Sequence, residues 1–284
     1  MLTEVQAGPY TVRGISVAGV YTSLQVPELS VVLDAGVPLR SFATTDHIFL
    51  SHGHSDHSSS LGSLLALRGL MGRHSPAQVF LPAEIESAVQ EALASLSRLH
   101  RSVVTFETIP MRPGETRKMY RDIWVRAFRT HHAGPSLGYQ FFRRITKLKP
   151  EHQGLPGEEI ARLRREGVPG VFEEQERLEL AYATDTLSRV LETAPEILES
   201  RVLILECTYL DDKWTVEETQ ERLHTHLDEI IARADLFQNE ALVLMHFSQA
   251  YGPERVHDII RERVPPALLE RIRVFAPSSS QWFG

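Results

Sequence analysis

With 284 residues, 42% of them hydrophobic and 24% charged, the chain can bury a large core as one big domain or two small ones. A net charge of −7 argues against a broad nucleic-acid-coating surface and leaves room for a local basic patch. The single Cys207 excludes a disulfide framework, and no stretch approaches the roughly eighteen apolar residues of a membrane span. The start, Met1-Leu2-Thr3-Glu4-Val5-Gln6, lacks the basic and apolar regions of a signal peptide, so a cytoplasmic protein is expected.

In chain order, Tyr10 to Val17, Val20 to Val26 and Ser30 to Leu33 read as short strands of a meander, punctuated by Gly14, Gly19, Pro27 and Gly36. The third ends in Leu33-Asp34-Ala35-Gly36. There Asp34 is either a turn residue before glycine or a carboxylate that hydrogen-bonds a metal-bound histidine. The apolar run Ile48-Phe49-Leu50 then delivers Ser51-His52-Gly53-His54-Ser55-Asp56-His57, with four possible metal ligands in six residues just past a strand. His52 and His54 can share one ion, and the adjacent Asp56 and His57 can reach a second. A histidine-rich surface loop is the bland alternative. The His-x-His-x-Asp-His run resembles the signature of the metallo-β-lactamase superfamily of dinuclear metal hydrolases, and that resemblance favours Asp34 as a support for a liganding histidine.

Leu61 to Leu70 fits a helix and Gln78 to Leu81 a buried strand. Pro82 opens a helix over Ala83 to Leu99, whose stripe Ile85, Val89, Leu93 and Leu96 is core. Val103 to Phe106 and the alternating Ile123 to Phe128 are further strand candidates, giving layered sheet and helix. Phe128 to Phe141 then carries His131-His132 in a loop between two strands. The residues themselves do not choose between the two histidines; the resemblance does, because ribonuclease Z enzymes place a ligand six residues before a Gly-Tyr pair, as His132 stands before Gly138.

Phe142 to Glu179 turns polar, and the cations Arg143, Arg144, Lys147 and Lys149 form either a solvated face or a phosphate-contacting patch, followed by a short charged helix from Gly157 to Gly167. Strands then end on Asp185, on Glu206 and, after Ala241 to Ser248, on His246. An aspartate at the first of these positions can bridge two cations about 3.5–4 Å apart, as two-metal hydrolases require. Thr215-Val216-Glu217-Glu218 reads as a capping box, Thr225 to Leu236 as a helix with His224 before it, Pro253 to Arg263 as a helix, and Ile272 to Phe275 as a strand. Collected, His52, His54 and His132 would hold one metal, Asp56, His57 and His246 the other, with Asp185 between them.

Gly14 to Gly19, the histidine motif, Arg68-Gly69-Leu70, Gly138-Tyr139, Thr184-Asp185-Thr186, Glu206 to Asp212, His224 to Ile230 and His246-Phe247-Ser248 together look like short-form ribonuclease Z of the plant-type branch, over nearly the whole chain. That resemblance implies a four-layer α/β sandwich of αβ/βα order with two mixed sheets, one metallo-β-lactamase-like domain over 1–284, usually homodimeric. It also implies two Zn2+ ions, for which Mn2+ or Fe2+ can substitute. The expected activity is phosphodiester hydrolysis, with precursor tRNA as substrate and 3′-end processing as outcome. Asp56 would orient or deprotonate the nucleophile, and Glu206 with His224 would form a dyad that protonates the leaving 3′-oxygen. Two departures stand out. The family's Ser-x-Arg-Tyr is Ser248-Gln249-Ala250-Tyr251 here, and no long glycine- and proline-rich arm separates Gly138-Tyr139 from Asp185. The alternatives are a hydrolase of cyclic nucleotides, lactones or other small esters on the same scaffold, and an RNA-binding protein with a structural metal site. Closed four-ligand cages mark structural zinc, whereas seven ligands for two ions leave open positions.

Overall fold

A computed structural model describes residues 2–101 and 103–282. The first sheet runs in spatial order β1 (Thr3–Ala7), β2 (Tyr10–Val17), β3 (Tyr21–Val26), β4 (Val31–Leu33), β5 (His47–Phe49), β6 (Ala77–Pro82), β7 (Phe106–Met111). It is antiparallel from β1 to β4 and parallel from β4 to β7. The second repeats the pattern with β8 (Thr116–Tyr120), β9 (Ile123–Arg129), β10 (Leu137–Leu148), β11 (Phe172–Ala183), β12 (Val202–Glu206), β13 (Ala241–Met245) and β14 (Ile272–Val274), antiparallel up to β11 and parallel beyond it. Parallel neighbours need crossovers, and these carry α1 (Ser55–Ser58), α2 (Leu61–Leu70) and α3 (Glu86–His100) in the first half. In the second half α4 (Gly157–Glu166) joins β10 to β11, and α5 (Val190–Thr193), α6 (Val216–Glu221), α7 (Leu227–Ile231) and α8 (Pro253–Arg263) lie in the crossovers.

Alternation along the strands sorts the layers. Val31, Leu33, Phe49 and Phe80 face Tyr139, Phe141, Tyr182, Ile204 and Val243 in a core between the sheets. On the far side of the first sheet Val32, Ile48, Val79 and Leu81 meet Leu61, Leu64, Leu65 and Leu93 of α2 and α3. Beyond the second, Ala181, Leu203, Leu205, Leu242 and Leu244 meet Val190, Leu227, Ile230, Val256 and Ile259 from α5, α7 and α8. The result is the expected four-layer αβ/βα sandwich with two mixed sheets.

Several elements differ from expectation. The strand expected over Val103 to Phe106 begins only at Phe106, because pairing with β6 fixes its register (Ala77 opposite Phe106) and leaves Val103 89% exposed. The helix expected over Ala83 to Leu99 opens as a 3-10 turn, Ala83–Ile85, and the one expected over Thr225 to Leu236 is α7, capped by the His226 side chain, followed by a 3-10 turn at Ala234–Leu236. The last long strand stops at Met245, because His246 adopts φ 61. The polar stretch after Phe142 is a long β10–β11 hairpin with α4 at its tip. Arg144 lies 3.8 Å over the Trp124 ring and pairs with Glu176, while Arg143 pairs with Asp122 at 2.8 Å. These two cations hold the hairpin rather than present a free phosphate patch.

Candidate metal centre

The loops that follow β4, β5, β9, β11, β12 and β13 gather at one edge of the sandwich. Two close approaches require glycine there: a Cβ on Gly36 would lie 2.0 Å from Asp56 O, and one on Gly138 would lie 2.1 Å from the Phe128 ring. Among the described residues, seven non-glycine positions have positive φ, and Asp34, Asp185, Leu223 and His246 of these line the site. Such backbone costs about 1–3 kcal/mol per residue and persists where the surroundings enforce it.

Asp34 is fully buried and accepts hydrogen bonds from Ser51 N (2.7 Å), Ser51 Oγ (2.9 Å), Tyr182 OH (2.6 Å) and His57 Nδ1 (2.8 Å). It is thus the histidine support rather than a plain turn residue. With Nδ1–H committed to Asp34, His57 turns Nε2 inward, 3.2 Å from Asp185 Oδ1 and 3.4 Å from Asp56 Oδ2. Burial alone would lower the His57 pKa, but the Asp185 and Asp34 carboxylates outweigh it and hold the ring well above the usual range. His246 is oriented in the same way. Thr208 donates its hydroxyl to Glu206 Oε2 (2.6 Å) and accepts from His246 Nδ1 (3.3 Å), so His246 Nε2 also faces Asp185 Oδ1, at 3.3 Å. His132 Nδ1 donates to Leu223 O (3.2 Å), and its Nε2 lies 3.2 Å from His54 Nδ1 and 3.6 Å from Asp185 Oδ2.

The residues fit divalent cations on three observations. His52 Nε2 is buried without a hydrogen-bond partner, and burial pushes the pKa of that ring down to about 2, so it presents a lone pair. His57 Nε2 and His246 Nε2 stand 3.3 Å apart with their Nδ1 protons committed elsewhere, an arrangement that repels unless positive charge is shared between them. Finally, the ligand atoms sort into His52, His54, His132 and Asp185, and Asp56, His57, His246 and Asp185. Asp185 belongs to both sets through different oxygens, Oδ2 toward His52 and His132 and Oδ1 toward His57 and His246. Burial would raise its pKa, yet His246 and His57 hold it well below the carboxylate range. Asp56 is held low likewise, burial being outweighed by hydrogen bonds to His246 and His57, and its Oδ2 also accepts from Gly19 N at 3.1 Å.

Glu206, fully buried, accepts from Thr186 N (2.6 Å), Thr208 Oγ1, Thr225 N (3.3 Å) and His224 Nδ1 (3.0 Å). Glu206, His224 and His246 also lie close enough to hold an ion, but both Glu206 oxygens accept hydrogen bonds and His224 Nδ1 is bound to one of them. Burial disfavours the His224 cation, and the Glu206 charge and hydrogen bond overcome that, raising its pKa to about 9. Its ring sits 5.2 Å from that of His132 and 5.5 Å from that of His246. The nine candidate ligand and dyad residues therefore meet at one site with Asp34 behind them, while His131 lies beside it, with Nε2 2.8 Å from Thr193 Oγ1. Sequence reasoning gave no role to Tyr182, Ser51, Thr208 or Leu223. A hydroxyl or carbonyl that fixes a histidine tautomer has no local sequence pattern.

The sequence profile of the β-lactamase superfamily domain matches residues 26–247. The chain is 33% identical over 274 residues to tRNase Z TRZ1 of Arabidopsis thaliana, covering 96% of both chains, and 33% identical to the chloroplastic tRNase Z TRZ2 of the same plant, covering 90% of this chain and 72% of that one. Human tRNase Z, short form, shares the fold at a TM-score of 0.56 with 17% identity, over 83% of this chain and 92% of that one. The fold, the converging histidines and carboxylates, and this end-to-end similarity agree: the chain belongs to the β-lactamase superfamily and, within it, to the tRNase Z family.

Proposed function

We propose that this chain is a dinuclear zinc endoribonuclease that removes 3′ extensions from precursor tRNA by phosphodiester hydrolysis. The observation that carries the reading is the division of Asp185, whose two oxygens each face a separate set of histidine nitrogens, together with a Glu206–His224 dyad beside both sets. Five imidazoles and two carboxylates suit zinc, with Mn2+ or Fe2+ able to substitute. The ions, when bound, would supply charge neutralisation at phosphate and lower the pKa of the attacking water.

The chain's own residues would do the rest. His52, His54 and His132 hold one side of the site, Asp56, His57 and His246 the other, and Asp185 ties them together. Asp56, fixed by Gly19 N, orients the attacking water or takes its proton at a carboxylate oxygen. As the bond from phosphorus to the 3′-oxygen breaks, His224 gives its Nε2 proton to that oxygen, and Glu206 stabilises the histidine on both sides of the transfer. The products are a tRNA ending in a 3′-hydroxyl and a trailer beginning with a 5′-phosphate.

The reading takes 1–284 as one metallo-β-lactamase-like domain, supported by a core drawn from both sheets. It includes a homodimer, supported by Leu70, Leu99 and Val103 at 75–89% exposure, to be tested by light scattering. It also includes a cytoplasmic location; among the described residues no helix is long and apolar enough to cross a membrane. The deciding assay gives purified protein a 3′-extended precursor tRNA alongside cyclic nucleotides, lactones and aryl phosphodiesters, and maps the cut ends. Turnover of the small esters with no cut in the tRNA would sink the proposal.

A further inference from the structure

Beside His132 lies a cavity of about 500 Å³. Its size falls within the range of about 300–1,000 Å³ that suits a small ligand or one unit of a polymer. Its apolar walls include Pro82, Pro135, Leu187 and Leu223, and its polar wall carries Arg129 and His131. The walls are tied to the metal centre. His131 N donates to Thr186 Oγ1 (2.9 Å), Leu187 N donates to His131 O (3.1 Å), and Leu223 O holds His132.

Charge at this mouth runs against the net charge of −7. Arg129 lines the cavity, and Arg189 stands two residues past the lining Leu187, its carbonyl held by Thr193 Oγ1, which also meets His131 Nε2; both arginines are exposed, and among the described residues neither guanidinium has a hydrogen-bond or ion-pair partner. This contrasts with Arg143 and Arg144, which have acidic partners. One carboxylate, Glu84, shares the cavity wall. Unpaired arginines beside a slot whose walls are part apolar and part polar suit a nucleotide, with the base against proline and leucine and the phosphate against guanidinium.

The cavity also has a side. Leu223 and His132 both line the slot, Leu223 precedes His224, and the His132 ring is 5.2 Å from the His224 ring, so the slot lies on the dyad's side of the site. Asp56 lies with His57 and His246 in the other ligand set. We infer that this cavity holds the nucleotide that bears the leaving 3′-oxygen, the last one of the mature tRNA, with Arg129 and Arg189 on the phosphates that precede it. The inference rests on the proposed tRNA 3′-processing activity.

The test compares Arg129→Gln, Arg189→Gln and the double variant with the parent protein on a 3′-extended precursor tRNA and on bis(4-nitrophenyl) phosphate. In the double variant KM for the tRNA should rise about tenfold with kcat nearly unchanged, since binding rather than chemistry is weakened. The slope of log(kcat/KM) against log salt should flatten by about 0.7 per arginine, the value for one contact to a single strand. Glu84→Gln should move KM the opposite way, and the aryl substrate should respond to none of these changes. An abasic residue at the nucleotide carrying the leaving oxygen should raise KM, whereas one at the first trailer nucleotide should not. If the parent protein cuts the tRNA while the double variant keeps its KM and salt slope, or if only the trailer abasic substrate suffers, the assignment of this cavity is overturned. A parent protein that leaves the tRNA uncut overturns the proposed activity, and this assignment with it.

Discussion

Strand β11 leads to two buried carboxylates with opposite surroundings. Glu179, on the strand and 1% exposed, is met by donors: Tyr10 OH and Arg177 Nε at 2.7 Å, Arg143 Nε at 3.2 Å and Arg201 Nη1 at 3.7 Å. Asp185, two residues past its end and 2% exposed, is met by imidazole nitrogens, and the Nδ1 protons of His57, His132 and His246 point away to Asp34, Leu223 O and Thr208. Both are buried charges that need compensation. The chain itself provides it for Glu179, which clips the first sheet to the second through Tyr10. At Asp185 the chain supplies histidine nitrogens whose other ring nitrogens are already committed, so each inward Nε2 is free to carry a proton to the carboxylate or to take a cation in its place, a composition that suits a metal and not a structural clip.

The largest effect should come from breaking the second arrangement. Asp185→Ala removes the one residue common to both ligand sets, leaving two like charges to repel across the site. Activity should fall by roughly 10³-fold or more and metal analysis should show the loss of at least one ion. Full dinuclear occupancy in that variant would refute the bridging role. Glu179→Gln should behave the other way: full metal content and a near-normal kcat, with stability lowered by about 2 kcal/mol as charged hydrogen bonds are lost. Denaturant unfolding beside metal analysis separates the two carboxylates cleanly.

Next comes the dyad, which stands beside the metal ligands without belonging to either set. His224→Ala should keep both metals and lose about 10²–10⁴ in rate on precursor tRNA, whose alkoxide leaving group needs a proton. On a nitrophenyl phosphodiester, whose leaving group departs unaided, the loss should be far smaller. Glu206→Gln should follow the same pattern more weakly, because it disturbs the charge and orientation of the histidine without removing the donor. An equal loss on both substrates, or loss of an ion from the His224 variant, would make His224 a ligand or a packing residue.

The same contrast explains what the sequence could disclose. The candidate ligands at 52–57 are legible because a tight loop after a strand brings near neighbours in sequence to one point, and Asp185, Glu206 and His246 because each stands at or just past the end of a plain apolar strand. His132 was not separable from His131 by residues alone, since both sit in one loop and only the fold turns His132 toward Leu223 O, His54 and Asp185 and His131 toward Thr193. The partners that set ring orientation are distant in sequence. Tyr182 reaches Asp34 across 148 positions, and a tyrosine in a strand otherwise reads as core. The outer half of the β10–β11 hairpin was hidden for a different reason. Its strands are held by cross-strand ion pairs and by Arg144 stacking on Trp124, which leave no apolar alternation to read.

The smallest effect sharpens the comparison on the opposite flank of the site. Ala250 is exposed, two residues past Ser248, which bridges to Ala18; the next residue, Gly19, donates to Asp56 Oδ2. It therefore stands near the side of the Asp56 and His246 ligand set and is not among the residues that line the cavity beside His132. Relatives that carry Ser-x-Arg-Tyr would place a cation there, and this chain carries none at that position. Ala250→Arg should add one charge-assisted phosphate contact, worth about 1.5 kcal/mol or roughly tenfold in precursor tRNA affinity, because an exposed guanidinium gains less than a buried one. A filter-binding titration at two salt concentrations should show tighter binding and a slope steeper by about 0.7, while kcat/KM on a nitrophenyl phosphodiester stays level. A similar gain on both substrates would mean that the new arginine acts on the scissile phosphate itself. Position 250 would then tune chemistry rather than the grip on RNA.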